Sequence, residues 1–547
     1  MTTTPSLVEP NSPPESQTTH VKCKTFRQSE HPRRFLFCTR QEWFEALIGG
    51  LVVSLLLFPW YRHISYLIGF TLLLVYLTVA NMLCAYRFIV PFPHAAILIA
   101  SLQYVLAAWL SAYFPPTDPS YDLGAQLPEY LCFGCLTLAA FAFGWATAVR
   151  KVGCRHSISP MSSKRLLWEL DLLFWLGIVF GIISRLLQLE SLMFVLLLCA
   201  NLRYVGALGR MLVRGQGWQW RFALTLLIEL IIASRQGMYH TLLLWSLSGF
   251  IVYLFSFRPR PRFVLCWFTL GMLLLPAMQE AKWKLREKRW QKEIGQGLTL
   301  QDDDMLGLVR GAWDSLFALS KALYNTATLR LEREFIADTA VRYNQGWIIS
   351  RVMQHVPSEE PYAHGETLLT AAQAALVPRM LAPQKFRAGG SAYYERFTGL
   401  RLTETTSMNL GYAGEMYANF GYWGAIIGCF GYAFLLGLGF RWIANRAWRS
   451  PLWWVVIPYV GNIAFKAEEG TLEVLNWIVK ASLVTAAVYF FFPAIRVELA
   501  HKVEGRRSSE TVTEISPMSL RPDRPARNKA RRNYSAKGLH RSSSPEL

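Results

Sequence analysis

Residues 411–439, GYAGEMYANFGYWGAIIGCFGYAFLLGLG, form an apolar run in which small residues recur three or four positions apart. These positions are Gly411, Gly414, Ala418, Gly421, Gly424, Gly428 and Gly431. At helical pitch they lie on one stripe, which lets another helix or a lipid chain approach the backbone closely. Glu415 lies one turn after Gly411, and a carboxylate near the start of a membrane helix is costly unless it is paired or wetted. The run predicts a membrane helix with either an interfacial, solvated glutamate or a functional one.

The composition of the whole chain is that of a polytopic membrane protein. Of its 547 residues, 52% are hydrophobic and 17% are charged. Apolar runs of about 20 residues, long enough to cross a bilayer, recur along it. They predict an all-α fold with about twelve transmembrane helices. The predicted spans are 44–60, 64–86, 88–113, 127–149, 168–188, 191–209, 218–234, 238–257, 262–279, 408–440, 452–466 and 474–494.

The domain boundaries follow from these spans. They are a disordered cytoplasmic N-terminal arm at 1–43, membrane helices 1–9 at 44–278, an extracytoplasmic loop at 279–407, membrane helices 10–12 at 408–494, and a basic, disordered cytoplasmic tail at 495–547. Because the first apolar run begins only after about forty residues, an uncleaved anchor is expected rather than a cleaved signal peptide.

Clustered Lys and Arg residues set the expected orientation, because short basic loops stay in the cytoplasm. Alternate threading of twelve spans puts the basic connections on one side with both termini, and the neutral or acidic ones on the other. The basic connections are 150–165, 210–221, 258–262 and 441–449, and the opposite ones are 115–129, 188–191 and 466–470. The 279–407 loop then lies outside, in the periplasm of a bacterium.

The first part of this loop, AKWKLREKRWQKE at 281–293, is basic although it is placed outside. Long translocated loops escape the positive-inside rule, so the placement stands. The basic stretch predicts either a solvated helical face or a surface for anionic lipid headgroups or an anionic saccharide. Further on, 313–356 predicts one or two amphipathic helices. Residues 361–386 predict a turn, a short helix that ends before Pro378, and a basic loop.

The net charge of +19 raises the choice between nucleic acid and anionic lipid as a partner. Beside a membrane, the basic tail favours anionic lipid headgroups over nucleic acid. None of the nine cysteines lies in the outer loop, so no disulfide framework is expected. Cys132 and Cys135 have CxxC spacing, which here indicates packing more than a metal site. Asp118 and Asp122 resemble a metal-binding acidic pair only weakly.

Groups suited to chemistry gather in the folded part of the loop. They are the cations Arg342, Arg351, Arg379, Lys385 and Arg387, and the possible bases His355, His364, Glu366 and Glu404. Arginine forks match phosphate oxygens in bidentate fashion, and a neutral histidine or a carboxylate can accept a proton from an attacking hydroxyl. Structural ion pairs, or a turn-stabilising role for His364, explain the same residues. Arg235, between two predicted spans, either snorkels or contacts substrate.

The order of these features resembles the Wzy-type O-antigen or oligosaccharide repeat-unit polymerases. The matching pieces are SRQGMYHTLLLW at 234–245, YAHGETLLTAAQAALVPRMLAPQKF at 362–386 and GYAGEMYANFGYWGAIIG at 411–428. The pattern Gly-Glu-x-x-x-x-Phe-Gly, at 414–421, is the most diagnostic of them. The resemblance covers roughly residues 225–440, and the basic tail and the 281–293 stretch have no counterpart in it.

The resemblance implies a GT-C-like fold in the bacterial inner membrane and a glycosyltransferase that needs no metal or other cofactor. Such an enzyme transfers a glycan from undecaprenyl pyrophosphate to another lipid-linked repeat unit in surface polysaccharide biosynthesis. By that analogy Arg351 and Arg379 would hold the pyrophosphate, and His364 or Glu366 would be the base. The other substrate-binding candidates are Arg235, Arg342, Lys385, Arg387 and Glu415. The expected partners are the lipid-linked glycan, membrane lipid and other assembly proteins, but no nucleic acid.

Other functions fit the sequence as well. A ligase that transfers finished glycan would differ only in its acceptor. A transporter or flippase is disfavoured because polarity is concentrated in one external loop, whereas transporters carry charged, broken helices at the midplane. A non-enzymatic assembly subunit would use the loop to bind protein partners.

Overall fold

The computed structural model describes the chain in separate ranges, and the structure is discussed for these alone. They are residues 48, 66–86, 89–116, 118–123, 126–150, 163–187, 190–236, 239–267, 269–271, 313, 317, 320–321, 324, 328, 333–377, 391–402, 408–447 and 450–500. Within them the regular elements are helices, and none of these residues belongs to a β-strand.

Besides a helical stretch at 261–267, sixteen helices organise the described chain. The first eight are α1 Tyr66–Ala85, α2 Phe92–Tyr113, α3 Leu127–Val149, α4 Lys164–Leu187, α5 Glu190–Ala200, α6 Leu202–Leu212, α7 Trp218–Gln236 and α8 His240–Phe257. Four belong to the predicted outer loop: α9 Arg333–Tyr343, α10 Gly346–His355, α11 Glu366–Leu376 and α12 Ser391–Thr398. The last four are α13 Gly411–Ala447, α14 Trp453–Val460, α15 Thr471–Phe491 and α16 Pro493–Ala500.

The helical, multi-pass character predicted from the sequence is confirmed. Eight helices in the described ranges are long and apolar enough to cross a membrane: α1, α2, α3, α4, the continuous pair α5–α6 over Leu192–Leu212, α8, α13 and α15. Helix α7 occupies the predicted span 218–234 but carries Arg221, Glu229 and Arg235. Half of the predicted span 262–279, and all of the predicted span 44–60 except residue 48, lie outside the described residues. The count of twelve and the GT-C-like fold stay predictions.

The predicted span 452–466 is not one continuous helix. Helix α14 ends at Val460, and a 3₁₀ turn follows at Ile463–Phe465. Pro458 lies inside α14 and lacks a backbone N–H. A proline in a helix removes one hydrogen bond and clashes with the preceding turn, which explains the early end.

Two hydrogen bonds join parts of the chain that alternate threading places on the same side. Among those predicted for the outer face, Arg351 Nη2 donates to the carbonyl oxygen of Ser120 at 3.4 Å. Among those predicted for the cytoplasm, Arg214 Nη2 donates to the carbonyl oxygen of Ser256 at 2.6 Å. Which side faces the cytoplasm stays a prediction.

Helix α13 is a hairpin rather than one straight rod. At Gly421 the backbone has φ 68° and ψ −166°, a conformation essentially restricted to glycine. The rings of Tyr412 and Tyr432 stack with centroids 4.8 Å apart, so the short arm (residues 411–420) folds back on the long arm (residues 422–447). The long arm measures about 39 Å at helical rise, more than the roughly 30 Å hydrocarbon core.

The hairpin corrects the interpretation of the small-residue stripe. A Cβ atom on Gly428 would lie 2.7 Å from Met416 Sδ of the short arm. A Cβ atom on Gly144 of α3 would lie 2.5 Å from the carbonyl oxygen of Phe430. Small residues therefore let the two arms and α3 pack closely, as in other membrane helix pairs. The arms do not share one continuous bare face, because Gly421 interrupts the helix.

Charged side chains are also buried between the membrane helices. Arg203 Nη2 of α6 and Glu229 Oε2 of α7 are 2.5 Å apart, and the residues are 4% and 6% exposed. The Tyr204 hydroxyl donates to the same carboxylate oxygen at 3.2 Å. Polarity is concentrated in the predicted outer loop but is not limited to it. A buried charge in a membrane helix needs a partner, and here a neighbouring helix supplies it.

Candidate functional site

Helix α10 places Arg351 beside the connection between α2 and α3. The rings of Trp347 and Tyr121 meet edge to face with centroids 4.8 Å apart, so α10 packs against this connection. Arg351 donates from Nη1 to Gln354 Oε1 at 3.3 Å and from Nη2 to Ser120 O at 3.4 Å. Both acceptors are neutral, and Arg351 makes no ion pair with any described carboxylate. Its charge is thus available to an anion.

Arg342 is exposed near the end of α9 and has a different electrostatic environment. It lies close enough to Glu468 to stabilise the ionised carboxylate. Burial acts to raise the pKa of Glu468, but the charges of Lys466 and Arg342 lower the pKa overall. Arg342 therefore serves a buried carboxylate as well as facing solvent.

His364 lies in a tight turn, residues 363–367, that covers the tip of the α13 hairpin. The φ angle of His364 is +46° and that of Gly365 is +93°, both in the left-handed region. Non-glycine residues seldom adopt this conformation, and such residues are enriched at functional sites. The imidazole is exposed, and its centroid lies 6.3 Å from that of the Tyr362 ring.

Glu366, the other predicted base, is held by an arginine that was not among the predicted site residues. Arg396 donates from Nη1 and Nη2 to the two Glu366 oxygens at 3.0 and 3.1 Å, and from Nε to Glu360 Oε1 at 2.6 Å. The hydrogen bonds from Arg396 lower the pKa of Glu366. A carboxylate stabilised in this way is a weaker base, so His364 is the better candidate of the two.

Glu415 is buried and joins three elements. Its Oε1 accepts a hydrogen bond from Thr367 Oγ1 of α11 at 3.0 Å, and its Oε2 accepts from the backbone N–H of Thr471 in α15 at 2.7 Å. The residue is 3% exposed, so the solvated interfacial alternative does not describe it. A carboxylate at the N-terminus of α15 is also favoured by the helix dipole.

A cavity opens where α11, α12, α13 and α15 meet. Its lining includes Thr367, Tyr393, Asn409, Glu415 and Glu473. None of the residues known to line it is basic. Its volume of about 30 Å³ admits about one water molecule, for which the hydroxyl, amide and carboxylate groups of the lining are suitable hydrogen-bonding partners.

Two tyrosines of helix α12, Tyr393 and Tyr394, both line the cavity. Tyr393 interacts electrostatically with Glu415 and Glu366, and Tyr394 interacts with Tyr121 and Arg351. Burial raises the pKa of both phenols, so they remain protonated. The predicted cation Arg351 and the predicted acids are thus neighbours of adjacent tyrosines of one short helix.

A second polar cluster, in the 466–470 connection, was not predicted as part of a site. Lys466 Nζ forms ion pairs with Glu469 and, at 3.4 Å, with Glu468. Gln103 Oε1 accepts a hydrogen bond from Ala467 N at 3.0 Å. Gln103 lies in a π-helical turn of α2 at Leu102–Leu106, and such turns are frequent at functional sites.

Two other residues singled out in the sequence, Asp118 and His355, have local partners in the structure. Asp118 Oδ1 accepts from Ser120 N at 2.9 Å and so caps a 3₁₀ turn, which is a structural use of this acid. His355 Nδ1 lies 3.2 Å from Glu359 Oε2. Outside the described residues are Arg379, Lys385, Arg387, Glu404, the stretch 281–293 and the side chain of Arg235.

Two signals in the sequence could have pointed to the residues that were missed. Asn419, inside an apolar helix, is costly unless its amide is fully bonded. Arg396 follows two tyrosines in a short segment that has little other charge.

No protein-family model matches the chain, and no curated protein or solved structure matches it either.

Proposed function

We propose that the protein polymerises lipid-linked oligosaccharide repeat units on the outer face of a bacterial inner membrane. The acceptor hydroxyl would attack the anomeric carbon of a glycan carried on undecaprenyl pyrophosphate. A new glycosidic bond forms, the bond to the pyrophosphate oxygen breaks, and the hydroxyl proton passes to a base. Undecaprenyl pyrophosphate leaves with the bonding electrons.

The observation that carries the proposal is the state of Arg351. Among the described residues, the guanidinium of Arg351 donates to two neutral oxygens, at 3.3 and 3.4 Å, and it can exchange these for phosphate oxygens at little cost. Arginine binds phosphate in bidentate geometry and stays charged, so it stabilises the charge that develops on a departing pyrophosphate. Exposed His364 would accept the proton, because the ion pair with Arg396 makes the Glu366 carboxylate a weaker base.

A saccharide could meet the polar groups beside α12 only from outside the cavity, because the cavity's volume of about 30 Å³ admits about one water molecule. Among the lining residues, Tyr393 and Asn409 present neutral hydrogen-bonding groups and Glu473 presents a carboxylate. Sugar hydroxyls are both donors and acceptors, so they match such a mixed set. Transfer with inversion at the anomeric carbon is expected, because the sequence offers no good nucleophile pair for double displacement. A product with retained configuration would refute this part.

Polymer length in cells tests the proposal. Arg351→Ala should reduce the surface glycan ladder to single repeat units, with the protein still present in the membrane. Arg401→Ala, which removes an exposed cation of the same loop, is the matched control and should leave the ladder unchanged. Loss of every surface form in Arg351→Ala would indicate ligation or export instead, and an unchanged ladder would contradict a role for Arg351 in pyrophosphate binding.

Transport of a lipid-linked glycan is a second candidate, favoured by one observation. The Arg203–Glu229 pair is buried between two membrane helices, and buried charges in membrane spans often mark substrate pathways. Purified protein in vesicles separates the two functions. Translocation of a lipid-linked oligosaccharide without formation of a glycosidic bond would favour transport.

A further inference from the structure

The amide of Asn419 is bonded at every donor to groups that shape the His364 turn. Asn419 is completely buried near the end of the short arm of α13. Its Nδ2 donates to Thr367 Oγ1 at 2.7 Å and to the backbone oxygen of Glu415 at 2.7 Å. Its Oδ1 accepts from Gly365 N at 2.9 Å. This set of partners fixes the orientation of the amide, because only the oxygen can face the Gly365 N–H.

The backbone at the same place holds the turn as well. Because Gly421 breaks the helix, the carbonyl groups that precede it lack partners within the short arm. The carbonyl oxygen of Ala418 accepts from Ala363 N at 2.9 Å, and that of Asn419 accepts from His364 N at 3.1 Å. The tip of the hairpin thus binds three successive N–H groups of the turn, counting that of Gly365.

A hydrogen-bond relay continues from Asn419 to Glu415. Thr367 Oγ1 accepts from Asn419 and donates to Glu415 Oε1 at 3.0 Å. Thr367 is the second residue of α11 and is 3% exposed. The start of α11 is therefore fixed on the same buried asparagine that fixes the turn before it.

We propose that Asn419 is a positioning residue, which holds the His364 turn in its left-handed conformation and so places the imidazole for proton transfer. The inference rests on the proposed function, since it takes His364 as the base. Asn419 itself is buried and touches no substrate. Its effect passes through the backbone of residues 364–365, where two successive residues with positive φ need outside support.

The test compares glycan transfer by purified, reconstituted protein, using lipid-linked repeat units extracted from cells that lack this protein. Asn419→Ala should lower kcat by about 10²-fold, the scale of a 1 Å displacement of a reacting group, with KM nearly unchanged. Gln373→Ala, on the exposed side of α11, is the control and should match the wild type. An Asn419→Ala variant with wild-type kcat would overturn the proposal.

The double variant separates positioning from a general structural role. If Asn419 acts through His364, adding Asn419→Ala to His364→Ala should cause no further loss, because coupled residues are not additive. A further loss of about tenfold or more would overturn the proposal, since it would mean that Asn419 acts independently. If His364→Ala alone retains full activity, His364 is not the base. That result would refute this part of the proposed function and would leave the hydrogen bonds of Asn419 unaffected.

Thr367 offers a second route if Asn419→Ala fails to reach the membrane. Thr367→Val keeps the shape of the side chain but removes the group that Asn419 and Glu415 both bond. It should also lower kcat without raising KM, and Thr367→Ser, which retains the hydroxyl, should restore most of the lost rate. Equal activity of the valine and serine variants would contradict the relay.

Discussion

The Glu415 carboxylate lies 2.7 Å from the backbone nitrogen of Thr471, so one helix supplies the acceptor for the first N–H of another. Glu169 does the same elsewhere, accepting from Ala494 N and Ile495 N at 2.9 Å at the start of α16. Helix N-termini leave several N–H groups without intrahelical partners, and an anion there is favourable. These two acids therefore join segments that are far apart in the sequence.

Replacement of Glu415 should destabilise the protein. Glu415→Ala leaves the Thr471 N–H and the Thr367 hydroxyl without an acceptor, at a cost of about 1–3 kcal/mol for each buried group. Glu415→Gln keeps one acceptor oxygen and should lose less. Thermal unfolding in detergent measures the difference, and the expected order of midpoints is wild type, Gln, then Ala. An alanine variant as stable as the wild type would show that this junction contributes little.

Gly421 should tolerate no side chain. Its φ of 68° disfavours any other residue, and an added Cβ would lie 3.0 Å from the Tyr362 hydroxyl oxygen. Gly421→Ala should therefore cost about 1–3 kcal/mol. Gly431→Ala is the matched control on the long arm, where an added Cβ meets nothing within 4 Å. It should be neutral or stabilising by up to about 1 kcal/mol. Equal unfolding midpoints of the two variants would argue against the hairpin.

The sequence predicted most of the helices because hydrophobic length is a local property. The predicted span 127–149 agrees with α3 to the residue, and the predicted span 238–257 ends at the same residue as α8. The hairpin at Gly421 was not predicted, since a stripe of small residues has the same spacing in a straight helix and in two facing arms. Contacts between the arms, such as that between Tyr412 and Tyr432, distinguish them. Such long-range contacts leave no periodic trace in the sequence.

The candidate site was predicted by residue type but not by partner. Arg351 and His364 were chosen because their chemistry suits phosphate and proton transfer, and both are accessible. Glu366 has the same chemistry as any carboxylate, yet its bidentate pair with Arg396 changes its basicity. Pairing across a turn depends on where α12 packs, which spacing alone does not specify. Asn419 was missed for the same reason, since the tertiary fold brings its partners Gly365 and Thr367 to it.

The Arg396–Glu366 pair should make a pH-dependent contribution to stability. Because its hydrogen bonds lower the pKa of Glu366 in the folded protein, the contribution is present above the unfolded pKa of about 4.3. It is lost as the pH falls through the lower, folded pKa. Arg396→Gln should therefore reduce stability at pH 7 by about 1 kcal/mol or less, because the pair is partly exposed.

Unfolding midpoints at pH 7 and at about pH 3.5 check this sign. The gap between the wild type and Arg396→Gln should narrow at the lower pH. Arg401→Gln removes an exposed arginine of the same loop and should show no comparable gap at either pH. A gap that stays the same on acidification would mean that Arg396 stabilises the fold through contacts that do not titrate, such as its position 4.8 Å from the centroid of the Phe397 ring.

The Arg203–Glu229 pair should behave as a buried ion pair whose parts depend on each other. Arg203→Met or Glu229→Leu alone leaves one charge buried without its partner, which costs about 3–5 kcal/mol. The double variant removes both charges and should recover much of that loss. Recovery should be more complete with Tyr204→Phe added, because the Tyr204 hydroxyl also donates to Glu229. Unfolding midpoints of the single, double and triple variants measure the coupling. Additive losses would show that the two charges do not stabilise each other, and a triple variant that is stable but forms no glycan ladder would give the pair a role in function.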